Sequence, residues 1–130
     1  MLKATVLAMA LMAATSGSFA SDWVLFYKGP NFMMYMDRAS AHRSGNIIKV
    51  WIKQTYHPPR TGKGLRHPIA EKKQHWIMDC SSKSIAMGEL VVYDTAGDAV
   101  YQDPGTPYHF DASVPDSIGD TLMTDVCGGE

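Results

Sequence analysis

The chain has 130 residues, with 12 Lys and Arg against 13 Asp and Glu, and its formal net charge at pH 7 is −1. This length allows one domain with a single modest core. Because the net charge is close to zero, it gives no indication of a nucleic-acid partner. Every lysine and arginine nevertheless lies at or before Lys83, and every later charge is acidic. The basic residues up to Lys83 and the acidic residues after it either form ion pairs in the folded protein or lie on separate basic and acidic faces. The sequence leaves both alternatives open.

Residues 1–20 have the organisation of a secretory signal peptide. Lys3 precedes an apolar run at 4–14, and the segment closes with the small-residue sequence "SFA". This pattern predicts cleavage after Ala20 and an exported single domain, 21–130, in the periplasm or outside the cell. A membrane-spanning helix is the alternative, but the apolar run is shorter than the roughly 20 residues that span a bilayer.

Apolar and alternating segments predict an antiparallel sheet of about six strands. The first two flank the turn sequence "GPN", as in a β-hairpin, and the polar stretch 38–46 that follows favours a short helical turn. The third places Ile48, Val50 and Ile52 on one face, as a half-buried strand does. Gly88 in the fifth marks a candidate β-bulge. The predicted strands are 23–28, 32–37, 47–56, 70–80, 83–94 and 99–103.

The segment 57–68, between the third and fourth strands, contains three prolines and two glycines, which predicts an irregular loop. Basic side chains are concentrated in it and at the start of the next strand, with Glu71 as the one nearby acid. Long irregular segments often carry function, although an ordinary solvated loop is the alternative. The candidate partner-binding residues are Arg60, Lys63, Arg66, Lys72 and Lys73.

The period changes near the C-terminus, after an irregular stretch at 104–113. Apolar residues recur every four positions, which predicts a helix over 115–127 with Asp116 in its first turn, where a carboxylate suits the helix dipole. The sequence "GG" at 128–129 predicts its end. The apolar stripe consists of Ile118, Leu122 and Val126.

The two cysteines, Cys80 and Cys127, end the fourth predicted strand and the predicted helix. In an exported protein such a pair favours a disulfide, and no CxxC spacing argues for the alternatives, a metal site or a reactive thiol. The bridge would tether the helix to the sheet, so the predicted fold class is α+β. Because no cysteine precedes Cys80, we expect no lipid anchor as well as no membrane span.

Catalytic and ligand-binding motifs do not stand out. There is no nucleophile elbow, phosphate-binding loop or HExxH, and the five histidines have no ligand spacing, although a metal site assembled in three dimensions stays open. The methionines at 33, 34 and 36 either fill the core or form a soft-metal site. We predict a protein that is not an enzyme, uses no cofactor or metal and binds no nucleic acid.

Several ordered segments carry a family resemblance: "YMD" at 35–37, "GNIIKVWIK" at 45–53, "HWIMDC" at 75–80, "YDTAGDAV" at 93–100 and "VPDSIGDTLMTDVC" at 114–127. With Trp23 and the two cysteines, they resemble the surface-adhesin protein E family of Gram-negative bacteria. The resemblance spans about 23–127. It implies an antiparallel sheet with a C-terminal helix tied to it by a disulfide between Cys80 and Cys127, and a founding member that is a lipid-anchored adhesin for host matrix and serum proteins.

Two functional hypotheses from different classes follow. The first is a non-catalytic exported binding protein that contacts extracellular proteins or anionic polymers. The second is a periplasmic structural or assembly factor that pairs through an exposed sheet edge, and a homodimer through that edge is included.

Overall fold

A computed structural model of the chain describes residues 20–128, so the predicted signal peptide lies outside the described residues apart from Ala20. The described part contains one antiparallel sheet and one α-helix, which confirms the α+β prediction. The elements are β1 Trp23–Lys28, β2 Phe32–Asp37, β3 His42–Ser44, β4 Ile47–Arg60, β5 Ile69–Asp79, β6 Ser84–Asp94, β7 Ala99–Asp103, β8 Asp111–Ala112 and α1 Ile118–Cys127. Six strands follow the order β1-β2-β4-β5-β6-β7, with β3 beside β4 and β8 beside β6.

The two strands that sequence patterns did not predict are short and exposed. β3 falls in the stretch expected to form a helical turn, and that turn is limited to one 3-10 turn at Arg38–Ser40, capped by the buried Asp37. β8 falls in the segment expected to be irregular and pairs with the start of β6. Strands of two or three residues are too short to show a period-2 pattern, which explains why they were missed.

β4 is longer than predicted, because it continues through two prolines to Arg60. The prediction that all of 57–68 is irregular is therefore wrong for its first four residues. Pairing with β5 is interrupted between Thr55 and Arg60. Pro58 and Pro59 lie in this interruption, so their missing N–H groups leave no ladder hydrogen bond unmade. The irregular loop is 61–68.

The helix begins at Ile118, three residues later than predicted. The Ser117 hydroxyl accepts a hydrogen bond from the Asp120 N–H at 3.1 Å, and this cap sets the start. Asp116 lies before the helix, so the acid in the first turn is Asp120. Gly128 ends the helix in a left-handed conformation with φ 78°, as the "GG" sequence predicted.

The helix packs on one face of the sheet, here called the helix face. Leu122 is fully buried, and Ile118 and Val126 pack partly buried against the core, so the predicted apolar stripe is confirmed. A Cβ at Gly119 would lie 2.9 Å from Ile85 Cδ1, which shows how closely helix and sheet approach. The sheet residues of this core are Met34, Ile48, Val50, Ile52, Trp76, Met78 and Ile85.

The disulfide prediction is confirmed. Cys80 and Cys127 are bonded with a Cα–Cα distance of 5.7 Å, and both pack against the core. The predicted bulge is also present, because Gln74 pairs with Leu90 while Trp76 pairs with Met87, which leaves two β6 residues opposite one β5 residue. The bridge therefore ties the end of α1 to the end of β5.

Candidate functional site

The five candidate partner-binding residues do not lie on one surface. Arg60 ends β4, and Lys63 and Arg66 lie in the exposed loop 61–68. Lys72 and Lys73 are consecutive in β5, so their side chains point to opposite faces of the sheet. The expectation of a single basic segment through residue 73 is corrected: strand alternation divides it between the helix face and the opposite, open face.

Loop 61–68 folds against β6 and β7 on the helix face and forms a groove of about 660 Å³. Three of its apolar side chains are well exposed, namely Leu65 at 46%, Val100 at 49% and Tyr101 at 53%. Arg66 and His67 add polar atoms, so the groove is apolar with a basic rim. We call it the loop surface; its lining is Gly64, Leu65, Arg66, His67, Ile69, Val92, Val100 and Tyr101.

Arg60 lines a second, shallower groove of about 460 Å³ beside Pro58 and Pro59. Its guanidinium carbon lies 5.4 Å from the centre of the Tyr56 ring, a cation–π distance. Stacking of this kind orders the arginine side chain while its N–H groups remain exposed for a partner.

The cations Arg60, Lys63 and Arg66 form no salt bridge within the described part of the chain. No salt bridge among residues 20–128 joins a lysine or arginine to an acid beyond Lys83. Pairing of the basic and acidic halves, one of the two alternatives left open by the sequence, is therefore not seen in these ion pairs.

Tyr101, at the rim of the loop surface, donates a hydrogen bond to Asp103 Oδ2 at 3.1 Å. This bond and the neighbouring negative charge raise the pKa of the Tyr101 hydroxyl. The phenol therefore stays protonated at any physiological pH and is presented to a partner as a neutral, amphipathic ring.

Sequence reasoning missed the arrangement around Lys73 on the open face. Lys53 of β4 is the direct cross-strand partner of Lys73. The Lys53 ammonium lies 4.5 Å from the Trp23 ring centre and 4.9 Å from that of Tyr35, and the Lys73 ammonium lies 5.1 Å from that of Tyr93. The available signal was the alternation "KVWIK" at 49–53, which sets cations and Trp51 on the face opposite the core.

Trp51 stacks on the neighbouring His75, with ring centres 5.0 Å apart and planes 17° apart. Burial lowers the pKa of His75, the nearby Lys49 ammonium lowers it further, and Glu89 partly offsets both. The imidazole is therefore neutral at pH 7, and the row of aromatic rings continues along the sheet without adding positive charge.

Residues 20–128 contain no group of three or more His, Cys, Asp and Glu side chains that could hold a metal ion. In the same part of the chain, no helix is long and apolar enough to cross a membrane. Met34 is in the core and Met36 packs against it, so these two methionines are packing residues.

The model of the family described as surface-adhesin protein E matches residues 23–128. The chain belongs to the surface-adhesin protein E family. The match includes all eight strands and the helix, so it confirms the resemblance that the sequence segments indicated. No curated protein matches the chain. Membership in the surface-adhesin protein E family, together with the disulfide, indicates an exported, adhesin-like protein.

Proposed function

We propose that this member of the surface-adhesin protein E family is a non-catalytic binding protein, released as residues 21–130 by cleavage after Ala20, and that it contacts extracellular proteins through the loop surface. The observation that carries the proposal is the apolar groove between loop 61–68 and β7, bordered by Arg66, a cation without a salt-bridge partner among the described residues. Exposed apolar grooves with polar rims are typical of protein–protein interaction sites.

The composition of the loop surface fits an interface centre. Tyr101 and Arg66 belong to the residue types that carry most binding energy in interfaces, and Leu65 adds apolar area that a partner would cover. The loop cations would attract an acidic partner over the Debye length of roughly 8 Å at physiological salt. We therefore expect binding that has an apolar centre and weakens as salt rises.

The test is the triple variant Arg60→Ser, Lys63→Ser and Arg66→Ser, measured by surface plasmon resonance against immobilised vitronectin and laminin. We expect at least a tenfold loss of affinity at low salt, since three charge contacts are removed. The control replaces two exposed cations away from the loop, Arg43 and Lys83, and should bind within twofold of the native protein.

Unchanged affinity of the triple variant, with an unchanged circular dichroism spectrum, would contradict a role for the loop surface. A further substitution, Leu65→Asp, tests the apolar centre, because it places a charge in the groove without touching the three cations. Binding by this variant at native affinity would also contradict the proposal.

A periplasmic assembly factor that pairs through a sheet edge is the second candidate. β7 is an edge strand whose first four residues are exposed, whereas the other edge strand, β1, is mostly half-buried. Each edge carries one bulge, at Val100 in β7 and between Leu25 and Tyr27 in β1. Exposed edges pair with other chains, and charges on them prevent it. The variant Gln102→Lys should abolish self-association or partner capture if β7 is the contact, and light scattering after gel filtration measures this.

The absence of catalysis is part of the proposal. It is supported by the family match, since the family is one of adhesins. A broad hydrolase screen checks it: an activity that a single His or Asp substitution abolishes would overturn the proposal.

A further inference from the structure

The open face of the sheet carries two lysines directly opposite each other. Lys53 and Lys73 are cross-strand partners, so their Cα atoms lie about 5 Å apart. Like charges in this position destabilise a sheet. Within residues 20–128 no helix lies over this face, because α1 packs on the core residues of the other face. Two ammonium groups are thus held close together on a face that no helix of the described residues covers.

Aromatic rings hold both ammonium groups in place. Trp23 is shared, since its ring centre is 4.5 Å from Lys53 Nζ and 5.7 Å from Lys73 Nζ. Tyr35 lies beside the first lysine and Tyr93 beside the second. Cation–π contacts of this kind reduce side-chain freedom but leave the N–H donors unused. The side chains are therefore ordered in advance for an anion.

The carboxylates near the lysine pair do not neutralise it. Glu71 lies 3.8 Å from Lys73 Nζ, and among the described residues no salt bridge reaches Lys53. Lys49 lies on the same face of β4, about 13 Å from Lys53 along an extended strand, with Trp51 between them. Glu89, near His75, is a second acid on this part of the sheet. One ammonium group at the centre is left without a counter-charge.

The structure of the face selects among anionic ligands. On a sheet face the backbone N–H and C=O groups are used in the strand ladders, so an extended acidic peptide would gain no main-chain hydrogen bonds there. The ring faces beside the lysines are occupied by ammonium groups, so nucleic-acid bases have no free platform on which to stack. A linear anionic polysaccharide needs neither main-chain hydrogen bonds nor a free aromatic ring face. Its acidic groups bind the ammonium groups while its hydroxyl groups stay solvated.

We propose that the open face binds a linear anionic polysaccharide through Lys53 and Lys73, with Lys49 extending the contact along β4. The proposal rests on the proposed binding role of the protein, but not on the loop surface. The lysine row follows one strand, so the polysaccharide would run along β4, and its sulfate or carboxylate groups would accept charge-assisted hydrogen bonds from the lysine pair.

The test uses heparin oligosaccharides as the probe, with isothermal titration calorimetry of the exported chain at low and physiological salt. We expect saturable binding that the double variant Lys53→Gln and Lys73→Gln weakens at least tenfold. The double variant Lys53→Arg and Lys73→Arg keeps both charges and should bind within threefold of native affinity. Glu71→Gln removes the competing carboxylate and should tighten binding about twofold, a gain that loss of folding cannot produce.

The matched control, Arg43→Gln with Lys83→Gln, lowers the net charge by the same amount on other surfaces and should bind within twofold of the native protein. No saturable heparin binding, equal weakening by control and double variant, or equally tight binding of polyglutamate or a single-stranded oligonucleotide would each overturn the proposal. Loss of heparin binding in the Arg60, Lys63 and Arg66 triple variant alone would overturn it too, while leaving the loop surface as a binding site.

Discussion

Removal of the disulfide is the sharpest test of how the helix is held. Cys80 and Cys127 are 47 residues apart in the chain, and closing a loop of this size contributes about 4 kcal/mol in the chain-entropy model. A typical domain has only about 5–15 kcal/mol of total stability. The double variant Cys80→Ser and Cys127→Ser should therefore lose about 4 kcal/mol, and its melting temperature should fall by about 15–20 °C.

Urea unfolding monitored by circular dichroism measures the loss. The dependence of stability on urea should also steepen, because the variant's unfolded chain is no longer crosslinked and exposes more surface. Hydrogen exchange should show the largest increase in α1, which the bridge ties to β5.

The control for the disulfide experiment is Leu122→Ala, which opens a cavity under the same helix and should cost about 2–5 kcal/mol without changing the urea slope. A double variant that loses less than about 1 kcal/mol, with an unchanged slope, would refute the chain-entropy account of the bridge.

Three further outcomes follow from local geometry. Gly105→Ala should destabilise strongly, because a Cβ there would overlap the β6 backbone, whereas Gly97→Ala shares the positive φ but has open space; equal melting temperatures would contradict this. Ser117→Ala should cost about 1 kcal/mol by removing the helix cap, measured by urea unfolding. Burial lowers the pKa of His75, so its contribution to stability is present above about pH 6.5 and is lost as pH falls toward the lowered folded value. His75→Gln should remove that loss, and equal urea midpoint shifts between pH 7.5 and 5.5 in both proteins would contradict it.

The sheet and helix were predictable because their periods are strong. The alternation in β4 and the four-residue spacing from Ile118 to Val126 arise because each element buries one face in the core. Burial of one face sets the spacing of apolar residues, and that spacing can be read from the sequence. The end of β4 was not predictable, because proline usually excludes a strand and only the pairing gap after Thr55 makes it tolerable. The start of α1 was predicted three residues too early, because the four-residue apolar spacing does not show that the Ser117 hydroxyl caps the helix.

The candidate site was only partly predictable, for a different physical reason. Lys63 and Arg66 could be placed on a loop from composition, but the groove beside them depends on β7, which follows about 35 residues later in the chain. The lysine pair needs the register between β4 and β5, and its rings come from β1, β2 and β6. Sequence patterns give the face of each strand but not the neighbour across it.

The open face follows from the small size of the fold. α1 has ten residues and is about 15 Å long, whereas six paired strands span about 24 Å. Among the described residues this helix is the one α-helix, and it packs on one face of the sheet, so it leaves the other face uncovered. The other face must cover its own aromatic rings, and lysine does this well because its methylene stem packs on apolar surface while its ammonium group stays in water. Lys53 and Lys73 thus shield Trp23 and still present two positive charges. The same pair covers the aromatic rings and makes the face attractive to an anion, and glutamine, which keeps part of the methylene stem but carries no charge, tests the second role.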